Sequence, residues 1–140
     1  KQLGKLIEIL RELHHDRRDI EIINLSGDIH ISNAYIFQPE GFRKPLYQVT
    51  SSALTNNPPS QESFLNLISV GGPLSFNATS KELGEMERLW QVGKNQNFMT
   101  INADSNSIIL HLHVYNKEDT DSPEADRILT IRPDQGYILT

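Results

Sequence analysis

At 140 residues with no cysteine, the chain is sized for one domain that can bury a core without disulfides or a thiolate metal site. Thirteen basic against 18 acidic side chains give a formal charge of -5, which disfavours a phosphate-binding surface for nucleic acid or an anionic membrane. The 37% hydrophobic content argues against disorder throughout, and no apolar run approaches the roughly 20 residues of a membrane span.

Residues 1–15 carry Leu3, Leu6, Ile7, Leu10 and Leu13 at helical spacing, with Lys5, Glu8, Arg11 and Glu12 on the other side. The pattern predicts an amphipathic helix whose stripe covers a sheet. Its opening at Lys1, without an initiator Met, raises the expectation of a fragment. His14, His15, Arg17 and Arg18 fall at its C-terminal end, where the helix dipole favours cations. The paired histidines could ligate a metal, but adjacent helical side chains diverge by about 100 degrees, so ending the helix is the better reading.

A short β-branched run follows, with Ile20, Ile22, Ile23 and Leu25 predicting a buried strand over residues 20–25 that turns at Ser26-Gly27. Asp28 and His30 come directly after it. Ligands of α/β sheets bind beyond the carboxyl ends of strands, and a carboxylate and an imidazole two residues apart can serve one metal ion or two adjacent ions. The bland reading of the same loop is a capped turn with a surface histidine.

Residues 32–37 read as extended or briefly helical, 38–45 as a turn-rich link with Pro39, Gly41 and Pro45, and 46–50 as a further strand. The hydroxyl-rich stretch after it, led by Ser51 and Ser52, either reaches the same crevice as Asp28 and His30 or forms an ordinary turn. Residues 61–69 read as a short helix stopped by Gly71-Gly72-Pro73. Thr79 with Glu82 forms a capping box, and Leu83, Met86, Leu89 and Trp90 predict a helix over 80–91, with Trp90 as a core or edge anchor. Residues 57–95 together read as an insertion between two parts of a sheet.

A hairpin is expected from 98–103 and 108–115 across the turn Asp104-Ser105-Asn106-Ser107. In its second strand Leu110, Leu112 and Val114 alternate with His111, His113 and Tyr115. His-x-His on one face of a strand is a metal-ligand spacing, but a solvated polar face shows the same alternation and is the simpler account. Residues 117–126 form a charged loop, and 127–132 with 137–140 form a last hairpin that closes a sheet edge. The sequons at Asn24 and Asn77 carry no weight for secretion, and the compartment stays open.

Taken together, the helix before the first strand, Leu-Ser-Gly-Asp-Ile-His at 25–30, Leu-Tyr-Gln-Val-Thr-Ser-Ser-Ala-Leu-Thr at 46–55 and the hairpin from Asn97 to Tyr115 resemble a known family. The chain is similar to the C-terminal part of the alkaline phosphatase D (PhoD)-like metallophosphatases, in the calcineurin-like metallophosphoesterase superfamily. The resemblance implies an α/β (α+β) fold, a partial metallophosphoesterase-type β-sandwich flanked by helices, with C-terminal antiparallel hairpins. It implies hydrolysis of phosphate monoesters or diesters at a two-metal site holding divalent or trivalent ions such as Fe, Ca, Mn or Zn. By the same likeness His30 would ligate a metal, Asp28 would ligate or orient, and Thr50, Ser51 and Ser52 would pack beside the site.

The resemblance also carries a departure. The superfamily's other motifs, an Asp-x-His, a Gly-Asp-x-x, a Gly-Asn-His and a further His, belong upstream of the helix, and Asp28 and His30 are the only motif ligands here. A two-metal centre needs more than two donors. The expectation is therefore a single unit, residues 1–140, forming the C-terminal portion of a larger hydrolase, inactive alone and prone to self-association. A non-catalytic binding or interaction module is the alternative, and a plain α/β domain with a capped Gly-Asp turn is the third.

Overall fold

The structure is a computed structural model that describes residues 2–17, 19–27, 32–51, 84–92, 95–115, 125–133 and 135–140. Among these described residues one helix and eight strands follow in the order α1 (Gln2–Asp16), β1 (Ile22–Gly27), β2 (Ser32–Gln38), β3 (Leu46–Ser51), β4 (Glu85–Val92), β5 (Gln96–Ala103), β6 (Ile108–Tyr115), β7 (Arg127–Arg132) and β8 (Gly136–Leu139). The class is mixed α+β, dominated by strands in two sheets.

The first sheet has the order β1-β3-β2-β4, with β1 parallel to β3 and the other neighbours antiparallel. The second is the antiparallel meander β5-β6-β7-β8. Strand side chains alternate between faces, and both sheets use that alternation to build one shared core. Ala34, Tyr47, Val49, Trp90 and Val92 of the first sheet meet Leu110, Leu112, Leu129 and Ile131 of the second, all buried. The opposite face of the first sheet, with Ile22, Tyr35, Phe37 and Leu46, is covered by Ile7 and Leu10 of α1 and by Phe42. The layers therefore run helix, sheet, sheet.

Burial rotates the expected helix stripe. Ile7 and His14 face the sheet, one heptad apart, whereas Leu6, Ile9 and Leu13 are 50%, 61% and 44% exposed. They form a second apolar row, uncovered among the described residues. The helix ends on the Leu13 carbonyl, which accepts from the Arg17 amide at 2.9 Å.

Two expectations need correction, and one open reading is resolved. The strand after the helix is not buried: β1 lies at the edge of the first sheet, and Asn24 to Gly27 are exposed. Its β-branched residues report strand propensity, which does not say how many neighbours a strand has. Residues 32–37, left between extended and helical, are the strand β2. The helix expected over 80–91 is overturned by β4, since residues 85–92 pair antiparallel with β2 and the register shifts between Ala34 and Tyr35.

That shift explains the misreading. Ala34 pairs with Trp90 and Tyr35 with Arg88, leaving Leu89 as the extra residue of a β-bulge. A bulge breaks the two-residue period, so Met86, Leu89 and Trp90 acquire a spacing that mimics a helix face. β4 also builds the end of the region expected as an insertion into the first sheet. The expected helix at 61–69 and the capping box at Thr79 and Glu82 lie outside the described residues.

Candidate functional site

Parallel pairing of β1 with β3 sets Ile22 against Leu46 and continues to Ser26 against Thr50 and Gly27 against Ser51. β1 and β3 thus end side by side, at the same end of the same sheet. Hydroxyls and amides tie them together: Ser26 Oγ and Thr50 Oγ1 lie 2.8 Å apart, and Gln48 Nε2 donates to Ser26 Oγ at 3.1 Å. Asn24 Nδ2 in turn donates to Gln48 Oε1.

The far end of the intervening loop is also fixed. Ser32, fully buried at the start of β2, donates its hydroxyl to Asn97 Oδ1 of β5, and Asn97 Nδ2 donates to the Asn95 carbonyl at 3.0 Å. The bond joins the two sheets where β2 begins. Of the expected site residues, Ser51 is half-buried beside Gly27, while Asp28, His30 and Ser52 lie outside the described residues. As a donor set, one carboxylate and one imidazole do not amount to a two-metal centre.

A second constellation sits on the outward face of the meander. Leu110 and Leu112 point into the core, so His111 and His113 share the opposite face of β6. Asp126, one step beyond the Leu112–Arg127 pair, comes between them on the β7 side. Its Oδ2 lies 2.9 Å from His111 Nε2 and 3.7 Å from His113 Nδ1, while its Oδ1 accepts the Val114 amide at 2.8 Å. The Val114 bond, followed by the His111 contact, holds the Asp126 carboxyl below the usual carboxylate range.

His113 is fixed from two more directions. Thr100 Oγ1 is 3.0 Å from its Nε2, and Phe98 stacks on the ring with centroids 4.6 Å apart. The two imidazole centroids are 3.7 Å apart. Asp126 was read in the sequence only as the end of a charged loop. The signal that finds it is the hairpin register: setting Leu129 and Ile131 inward opposite β6 turns residue 126 outward beside residue 113.

A third feature is a cavity of about 430 Å³ whose lining includes His14, Glu21, Arg43, Lys44, Tyr47 and Arg132. It lies by the starts of β1 and β3, opposite the strand ends that hold Gly27 and Ser51. Lys44 Nζ pairs with Glu21 Oε1 at 2.7 Å, both largely buried. Burial, with the Glu21 carboxylate and Tyr137 nearby, pushes the Tyr47 hydroxyl up to about 12. His14 is buried against Phe42, and its Nδ1 has no hydrogen-bond partner among the described residues. Burial lowers its pKa, an effect opposed by Glu21 and reinforced by Lys44 and Arg43. His15 instead turns to solvent beside Asp16, so the pair diverges as helix geometry requires.

Compared with known proteins, the chain matches no family model, and no curated protein or solved structure matches it significantly. Among the described residues no helix is long and apolar enough to cross a membrane.

Proposed function

We propose that this chain is the C-terminal portion of a metal-dependent phosphoesterase of the PhoD-like kind, acting on phosphate monoesters or diesters. The observation that carries the reading is the register Gly27 against Ser51. Two segments that resemble one family, separated by about twenty residues of sequence, finish on neighbouring parallel strands, where α/β sheets place their ligands. The Ser26–Thr50 contact and the Ser32–Asn97 bond hold the described residues on either side of 28–31, which supports that role. In this reading Asp28 and His30 contribute donors, Ser51 and Ser52 lie beside the substrate, and the remaining metal ligands come from a longer chain. Bound metal would polarise the phosphoryl oxygen and supply hydroxide.

The test compares phosphomonoesterase and phosphodiesterase activity, with metal analysis, for the product of the parent gene and for this 140-residue chain, each with and without His30→Ala. The expected result is activity and bound metal in the long form, lost on substitution and absent from the short form. An inactive, metal-free long form would overturn the proposal.

The exposed row Leu6, Ile9 and Leu13 favours a second reading, a non-catalytic module that docks through α1. The same row would be covered by the rest of a hydrolase domain in the first reading. Retention of a partner by a long form without hydrolytic activity would select the second.

A further inference from the structure

We propose that His111, His113 and Asp126 form a binding site for a divalent late transition-metal ion, of which zinc(II) is the representative. Its residues are other than those of the phosphoesterase reading, and the inference does not rest on that reading. Two imidazoles and one carboxylate are a donor set that suits such ions and leaves coordination positions for water or a ligand.

The case rests on convergence. One ligand atom from each of the three residues lies within 4.8 Å of the others. The facing atoms are His111 Nε2, His113 Nδ1 and Asp126 Oδ2, at 2.9 and 3.7 Å across the two histidine–carboxylate contacts. Bonds of about 2.1 Å in a tetrahedral site set ligand atoms roughly 3.4 Å apart, so rotations of the side chains alone bring the three into range. An ion pair between His111 and Asp126 explains one of these contacts. Ion pairing with His113 accounts for the other, and the feature that points to a shared ion is that both ring nitrogens face one carboxylate oxygen.

The surrounding groups hold the ligands in the sense a metal requires. In the tautomer a metal requires, His113 Nε2–H would donate to Thr100 Oγ1, 3.0 Å away, and leave the Nδ1 lone pair on the side of Asp126. Phe98 stacks on that ring and limits its rotation. The Val114 amide occupies Asp126 Oδ1, leaving Oδ2 for the ion. All of these groups stand on paired strands or directly beside them, a more rigid platform than a loop.

Calorimetric titration of the chain with zinc chloride and nickel chloride, in a buffer that does not chelate, tests the proposal. One ion should bind per chain with affinity in the micromolar range. His111→Gln and His113→Gln should each weaken binding at least ten-fold, Thr100→Val by up to about ten-fold through loss of orientation, and the exposed-helix control His15→Gln not at all. Nitrogen NMR of the imidazoles should show the zinc-induced shift at His111 Nε2 and His113 Nδ1, and thermal melts should confirm that the outward-facing variants stay folded. Binding no tighter than millimolar would overturn the site, as would binding that survives His111→Gln/His113→Gln. Binding lost in His30→Ala but kept in that double variant would assign the ion to the strand-end loop and overturn the site equally.

Discussion

His14 shows how one side chain converts burial into pH dependence. It sits almost wholly out of water, its Nδ1 has no partner among the described residues, and desolvation lowers its pKa below the ordinary 6.5. The unfolded chain then takes up a proton as pH falls through 6.5 while the folded chain does not. Stability is therefore full above that pH and declines below it, towards the folded pKa, by at most about 1.4 kcal/mol per pH unit. Melting temperatures of the parent chain and His14→Leu between pH 7.5 and 5 should diverge in slope, with the variant losing less on acidification. Parallel slopes would mean that His14 is protonated without penalty. The sequence placed His14 and His15 correctly at the end of a helix, but which of the two turned inward depended on Phe42 and the first sheet, and no local pattern contains that.

At the scale of elements, the segments that were legible are those whose period is regular. The β5–β6 hairpin has alternation over residues 110–115, an unbroken register and an Asp104 turn in which the carboxylate accepts the Asn106 and Ser107 amides, and it was readable nearly to the residue. β4 was not, because the bulge at Leu89 erases its period and its partner β2 lies some fifty residues earlier. The start of β4 depends on Gly84, which has a positive φ of 73° and lies so close to Gln38 that an added Cβ would stand 2.0 Å from that carbonyl oxygen. Gly84→Ala should lower stability by more than about 1 kcal/mol, because strain and a backbone clash add. Gly136→Ala, with a similar φ of 82° but open space around it, should cost less. Urea denaturation of both variants measures the difference, and equal midpoints would contradict the steric account. The candidate sites divide in the same way: Asp28 and His30 announce themselves by motif, whereas Asp126 joins His111 and His113 only through the register of two strands.

For the whole molecule, the residue pattern conveyed the class and the two C-terminal hairpins, and the resemblance implied a sandwich, but which strands belong to which sheet depends on contacts between distant strands. The surface has a conspicuous apolar component, with Leu6, Ile9 and Leu13 on α1 and Leu25 on the edge strand β1. A net charge of -5 opposes association only weakly at physiological salt. Sedimentation velocity at tens of micromolar should therefore find the 140-residue chain dimeric or larger, and Leu6→Lys/Leu13→Lys should return it to monomer. A monomeric parent chain would show that the row is tolerated in water. The strand order of the first sheet also bears on how the protein is made. β3 inserts between β1 and β2, and the other side of β2 waits for β4. A ribosome must therefore release nearly two-thirds of the chain before β2 gains its second neighbour. Until then the nascent chain carries an open, hydrogen-bond-hungry edge, while the later meander closes each strand against the one just synthesised. Slow elongation through the segment preceding β4 would prolong that exposure, making the first sheet more dependent on chaperones during synthesis than the second.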